Sequence, residues 1–141
     1  MKSFATSITI CASSEAVWAL LTDAAGYPQW NSTVVKIDGR IAPGEKVTVH
    51  AKAAPGRAFP VEVTEFAPSQ RMVWTGGMPL GLFKGIRSFT LTALAQDEVG
   101  FAMAEAYGGL LAPLIVRSIP DLQPAFDAFA ADLKRRAEAA S

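Results

Sequence analysis

The chain has 141 residues, half of them apolar, and 13 basic and 13 acidic side chains give a formal net charge of zero. This length suits one core, so we expect a single domain over residues 1–141. A balanced charge gives no excess of basic residues to attract nucleic acid. No apolar run approaches the ~20 residues of a membrane span. One cysteine excludes an internal disulfide. We therefore expect a cytoplasmic protein, monomer or homodimer, without integral membrane association or nucleic-acid binding.

The first third of the chain predicts a strand followed by two short helices. Apolar and polar residues alternate from Phe4 to Ile10, which is typical of a strand with one buried face. Ser13 or Ser14 can then cap a short helix, and Tyr27–Asn31 predicts a turn or a second, very short helix. Further strands are predicted over residues 34–38, 46–52, 59–66 and 71–76.

Two long alternating segments, residues 82–94 and 100–107, are joined by a polar link and predict an antiparallel hairpin. A turn centred near Gln96 sets the pairs, roughly 5 Å apart at Cβ: Arg87 with Glu105, Phe89 with Met103, and Leu91 with Phe101. An arginine and a glutamate would then share the apolar, inward face. Because buried charge is costly unless it is paired, this face is expected to line a chamber for a mostly apolar molecule instead of a dry core.

The C-terminal part predicts a helical turn over residues 111–116 and then a long amphipathic helix ending near Glu138. Pro120 and Pro124 exclude one uninterrupted helix. A sheet this long twists and curls, and the terminal helix is the only element large enough to cover its apolar face. The expected fold class is therefore α+β: a curled antiparallel sheet of six to seven strands wrapped around the C-terminal helix.

Four segments carry a resemblance to a known family: SITICASSEAVWALLTDAAGYPQWN, GLFKGIRSFTLTAL, EAYGGLLAPL and LKRRAEA. Together they resemble the START-like SRPBCC superfamily, and within it the polyketide cyclase/dehydrase-like branch. The resemblance implies the helix-grip fold, also called START/Bet v 1-like. It also implies an internal cavity, between sheet and C-terminal helix, for a lipid, polyketide or aromatic metabolite. Some members of the superfamily are cyclases or aromatases, and others are chaperone activators.

The chain departs from the pattern of this branch at informative positions. The branch commonly shows Gly-x-His-x-Phe on the long strand, where this chain has Arg87 in place of the histidine. On the last strand Tyr107 replaces the phenylalanine of Glu-x-Phe-x-Gly-Leu-Leu, and Ala130 stands where the final helix usually has asparagine. These departures argue against chemistry that needs a cavity imidazole.

The candidate site is the inward face of the hairpin with the aromatic residues around it. Arg87, Glu105 and Tyr107 are the candidate catalytic residues, although a structural cross-strand ion pair is the interpretation we favour for Arg87 and Glu105. The full set of expected ligand-binding residues is Trp30, Phe59, Trp74, Phe83, Arg87, Phe89, Met103, Glu105, Tyr107 and Phe126. For each aromatic residue, ordinary core packing is the competing interpretation.

Three functions remain open from the sequence: binding of a hydrophobic small molecule, a cyclase or aromatase without metal, and a protein-interaction module. One histidine and one cysteine cannot make a zinc site, so no metal or cofactor is expected. His50 is expected on the solvent side of its strand, and Cys11 as a small buried residue. The segment Gly76–Gly81 is interpreted as either a gating loop or a hairpin connection.

Overall fold

The computed structural model describes residues 2–139, which form one antiparallel sheet and four α-helices. The strands are β1 (Phe4–Ile10), β2 (Val34–Asp38), β3 (Lys46–Ala51), β4 (Phe59–Ala67), β5 (Arg71–Met78), β6 (Phe83–Ala95) and β7 (Glu98–Gly108). The helices are α1 (Ser14–Thr22), α2 (Tyr27–Trp30), α3 (Ala112–Ile115) and α4 (Gln123–Ala139), with 3₁₀ turns at Ala24–Gly26 and Val116–Ser118. None of the helices within residues 2–139 is long and apolar enough to cross a membrane.

The strand order is β1-β7-β6-β5-β4-β3-β2, so β1 and β2 form the two edges of the seven-stranded sheet. The predicted register of the long hairpin is confirmed, because Arg87 pairs with Glu105 and Phe89 with Met103. Register shifts interrupt the β2–β3, β4–β5 and β6–β7 ladders. Such irregularities bend strands and increase their twist, which favours the curled form of the sheet.

Helix α4 lies in the curl of the sheet and supplies much of the core. Phe126, Phe129 and Leu133 are buried on its inward face, at the spacing expected of an amphipathic helix. Phe129 stacks on Phe101 of β7 at 6.2 Å between ring centres. The prolines act as expected: the chain is irregular between Ser118 and Gln123, and α4 then begins with a proline in its first turn. The helix-grip fold predicted from the sequence is confirmed.

The two short helices after β1 close one end of the molecule. The Ser13 hydroxyl accepts a hydrogen bond from the Ala16 N–H at 3.1 Å and so caps α1. Trp18 of α1 packs edge-on against Phe66 of β4, with ring centres 5.2 Å apart. Tyr27 of α2 contacts the Phe129 ring at 6.2 Å between ring centres. Because these contacts fill the end of the molecule that carries α1 and α2, a pocket between sheet and α4 can form only toward the other end of the sheet.

The segment 76–81 is a hairpin connection, the second of the two alternatives drawn from the sequence. β5 extends to Met78, which pairs with Phe83, so only a short turn joins β5 and β6. Leu80, at the tip of this turn, is 94% exposed. Leu110 lies beside the turn because its N–H donates to the carbonyl of Gly81 at 3.0 Å, and it is also exposed. The apolar tip of the hairpin therefore faces solvent.

Candidate functional site

A cavity of about 640 Å³ lies between the sheet and α4, at the end opposite the two short helices. Its sheet wall comes from β3 to β7, through side chains such as Val61, Trp74 and Met103. Phe126 and Ala125 of α4 form the facing wall. Most of these side chains are apolar, and the volume lies within the range of small-molecule sites, which is ≈ 300–1,000 Å³.

One polar cluster interrupts this apolar wall. The Arg87 Nε donates to Glu105 Oε1 at 2.9 Å, and the Tyr107 hydroxyl donates to Glu105 Oε2 at 2.5 Å. The side chains of Arg87 and Glu105 are 23% and 16% exposed, so the ion pair is mostly withdrawn from solvent. The cluster therefore forms a polar site on one wall of an otherwise apolar hollow.

Aromatic rings hold this cluster in place. The Arg87 guanidinium carbon lies 4.7 Å from the centre of the Phe126 ring, which is cation–π geometry. The Tyr107 ring stacks on Phe83 at 5.9 Å and meets the edge of Phe4 at 6.5 Å. Arg87 is therefore fixed from the sheet side by Glu105 and from the helix side by Phe126. A side chain held on both sides loses little further freedom when a ligand binds.

The fully buried Tyr27 and the half-buried Tyr107 both stay protonated. Burial and the hydrogen bond to Glu105 raise the pKa of the Tyr107 phenol. Complete burial also raises the pKa of Tyr27, whose hydroxyl donates to the Leu21 carbonyl at 2.7 Å. Neither phenol titrates near neutral pH, so Tyr107 presents an O–H donor that Glu105 already accepts.

The structure places eight of the ten expected ligand-binding side chains on the cavity wall: Phe59, Trp74, Phe83, Arg87, Met103, Glu105, Tyr107 and Phe126. Trp30 and Phe89 lie elsewhere, in the packed core. Trp30 contacts the rings of Tyr27 and Phe129, with centres 4.9 and 5.7 Å away. Phe89 packs on Trp74 at 4.6 Å and is fully buried. For these two residues the competing interpretation, ordinary core packing, describes the structure.

Several lining residues carried no signal in the sequence. They come from the β3–β4 loop (53–57), the segment between α3 and α4 (115–122), and Thr33 with Val34. Loops have no strand or helix period, so nothing in their sequence indicates which way they face. Arg57, Ala53 and Pro120 are exposed lining residues, which places the mouth of the cavity between these two segments.

The lone histidine and the lone cysteine lie outside the cavity. His50 is on the outer face of β3, as expected, with its Nε2 2.9 Å from Asp38 Oδ2. The expectation that Cys11 is buried was wrong, because its side chain is exposed. β1 ends at the buried Ile10, and the Cys11 N–H then donates to Glu138 Oε2 at 2.8 Å. Within residues 2–139, no three His, Cys, Asp or Glu side chains are grouped to hold a metal ion.

The fold defines a helix-grip protein, with a pocket between the sheet and α4. A family model described as "Polyketide cyclase / dehydrase and lipid transport" matches residues 1–138. The chain therefore belongs to this family, and the superfamily resemblance drawn from the sequence is confirmed. No curated protein matches the chain in sequence.

Solved structures share the fold at low sequence identity. A START superfamily protein from Mycobacterium smegmatis is 15% identical with a TM-score of 0.74, and 99% of each chain is covered. The Zhui aromatase/cyclase from Streptomyces sp. R1128 is 13% identical with a TM-score of 0.75, covering 97% of this chain and 93% of that one. A hypothetical protein from Helicobacter pylori is 15% identical with a TM-score of 0.77, covering 96% and 88%. At these identities the likeness establishes the fold.

Proposed function

We propose that the protein binds a hydrophobic small molecule, such as a lipid, polyketide or aromatic metabolite, in the cavity between sheet and α4. The observation that carries this proposal is a hollow of about 640 Å³ lined mainly by apolar side chains, with one polar cluster. Family membership supports it. A ligand that loses about 300 Å² of apolar surface gains ~7.5 kcal/mol at ~25 cal/mol per Å², before the costs of association.

The geometry of Arg87, Glu105 and Tyr107 favours orientation of a ligand over proton transfer. An enzyme of the cyclase type would need one of these groups to exchange a proton near neutral pH. The pKa of Tyr107 is raised, and its hydroxyl already donates a hydrogen bond to Glu105. Both oxygens of Glu105 are engaged by neighbours. We therefore place binding first and keep the cyclase or aromatase as the alternative.

Native mass spectrometry of the purified protein tests whether the cavity is used. We expect additional mass from a co-purified apolar compound, which is lost when the protein is denatured. Nile red then measures binding to the emptied protein. A protein that never carries such a mass and does not bind the dye contradicts the proposal.

A pair of variants on α4 tests where the dye binds. Ala125 lines the cavity, whereas Ala131 lies on the same helix with its side chain exposed. The Ala125→Phe variant is expected to weaken Nile red binding about tenfold, because about 60 Å² of ligand contact area is lost. The matched Ala131→Phe variant should bind as the parent does. Equal affinities in the two variants would show that the dye lies elsewhere.

A further inference from the structure

The polar end of the cavity has unused hydrogen-bond donors, while each oxygen of its carboxylate already accepts one hydrogen bond. Glu105 accepts from Arg87 through one oxygen and from Tyr107 through the other. Within residues 2–139 Arg87 makes no other hydrogen bond, so the N–H groups of its terminal nitrogens are left for a ligand. A ligand that accepts hydrogen bonds satisfies these donors.

The same cluster carries no net charge. Arg87 and Glu105 neutralise each other in an ion pair with an N–O distance of 2.9 Å, and Tyr107 is a neutral phenol. A carboxylate placed against Arg87 would add an uncompensated negative charge close to Glu105. In a low-dielectric hollow such a charge is costly, whereas a carbonyl oxygen accepts the same N–H groups without that cost.

Arg57 is the other charged residue that lines the cavity in the described chain. It belongs to the β3–β4 loop at the mouth, and its side chain is exposed. Water and salt screen an exposed charge, so Arg57 contributes little to the binding of a charge deep in the cavity.

We infer that the cavity selects an uncharged ligand with a hydrogen-bond-accepting oxygen, such as a ketone, ester or quinone carbonyl, over a carboxylate of the same shape. This inference rests on the proposed function, since it specifies the chemistry of the ligand in the same cavity. Arg87 acts as the donor, and Glu105 sets the charge preference by neutralising Arg87.

Three ligands of nearly equal shape test this selection by displacing Nile red from the emptied protein at pH 8. They are 2-acetylnaphthalene, with a neutral carbonyl, 2-naphthoate, with a carboxylate, and 2-ethylnaphthalene, with no acceptor. We expect the ketone to bind about tenfold more tightly than either of the others, which is the effect of one satisfied hydrogen bond to a charged donor. This ranking uses the unmodified protein and depends on no variant.

Glu105→Gln tests the origin of the charge preference. A glutamine keeps hydrogen-bonding groups toward Arg87 and Tyr107 but leaves the cluster with a net positive charge. We expect the ratio of the naphthoate to the acetylnaphthalene dissociation constant to fall about tenfold in this variant. The control Glu65→Gln changes the same side chain in the exposed ion pair with Arg71, outside the cavity lining, and should leave the ratio as it is in the parent.

The outcomes separate this inference from the function on which it rests. If 2-naphthoate binds as tightly as the ketone in the parent, or the ketone binds no better than the ethyl compound, the inference is wrong while ligand binding stands. A ratio unchanged by Glu105→Gln also overturns it. If neither Nile red nor any of the three compounds binds, the proposed function fails as well.

Discussion

Replacing Arg87 with methionine is the most informative perturbation of this fold. The resulting loss of stability shows whether the Arg87–Glu105 ion pair behaves as a buried pair or as a surface pair. The change removes the bond from Nε to Glu105 Oε1 at 2.9 Å and the contact with the Phe126 ring at 4.7 Å. Methionine is shorter than arginine but replaces the apolar stem of the side chain. What is lost is the charge and its hydrogen bonds, which leaves the Glu105 carboxylate without its cationic partner.

The magnitude follows from the exposure of the two side chains. Breaking a fully buried pair costs about 3–5 kcal/mol, and an exposed pair contributes about 0–1 kcal/mol. At 23% and 16% exposure, beside a cavity that water can enter, the pair lies between these limits. We expect Arg87→Met to lower the free energy of unfolding by about 2 kcal/mol. The double variant Arg87→Met/Glu105→Gln should recover about half of this, because no charge is left unpaired.

Urea unfolding of the ligand-free protein, followed by tryptophan fluorescence, measures both values. The cavity must be emptied first, since a bound ligand adds its own stabilisation. Far-ultraviolet circular dichroism before unfolding checks that each variant keeps the fold. A loss below about 0.5 kcal/mol in the single variant would mean that the pair behaves as a solvated surface pair. A double variant no more stable than the single one would refute the role of the unpaired carboxylate.

Two further predictions concern residues that shape the fold around the site. Burial alone would raise the pKa of the Asp132 carboxyl, but hydrogen bonds from Ser32 and Arg135 lower it. A lowered pKa stabilises the fold above the unfolded value of about 3.9, and this stability is lost as pH falls through the folded pKa. Asp132→Asn should therefore cost about 1–2 kcal/mol at pH 7 in urea unfolding, and this cost should shrink progressively as the pH falls below about 3.9; a cost that stays constant down to the lowest pH at which the protein folds would contradict this. Gly77 has φ +135°, and a Cβ there would lie 2.4 Å from the Phe83 carbonyl oxygen, whereas a Cβ on Gly81 at φ +69° meets nothing within 4 Å. Gly77→Ala should cost about 3 kcal/mol and Gly81→Ala about 1 kcal/mol, and equal losses would show that the clash is relieved.

The long hairpin was predictable from the sequence because two physical signals agree there. A strict period of two assigns each residue to a face, and a short polar link leaves little freedom in the register. Arg87 therefore had to meet Glu105, as it does. The terminal helix was similarly clear, since Phe126, Phe129 and Leu133 share one of its faces.

The extent of the cavity was not predictable from the sequence. The alternation of apolar and polar residues along a strand shows which face of the sheet a residue lies on, but not where it lies relative to α4. Phe89 and Arg87 share a face two residues apart, yet Phe89 lies in the packed core and Arg87 lines the cavity. The two residues differ because the curled sheet moves away from α4 between them. How far the sheet curls depends on all of its strands together. The mouth depends on loops such as 53–57, which have no period to read.

The most direct test of the account is the location of a bound ligand, measured by intermolecular nuclear Overhauser effects from 2-acetylnaphthalene to assigned methyl groups. We expect contacts to the methyl groups of Met103 and Val61, which line the cavity. Contacts confined to the exposed side chains of Leu80, Leu110 and Leu114 would place the ligand on the outer surface and contradict the account.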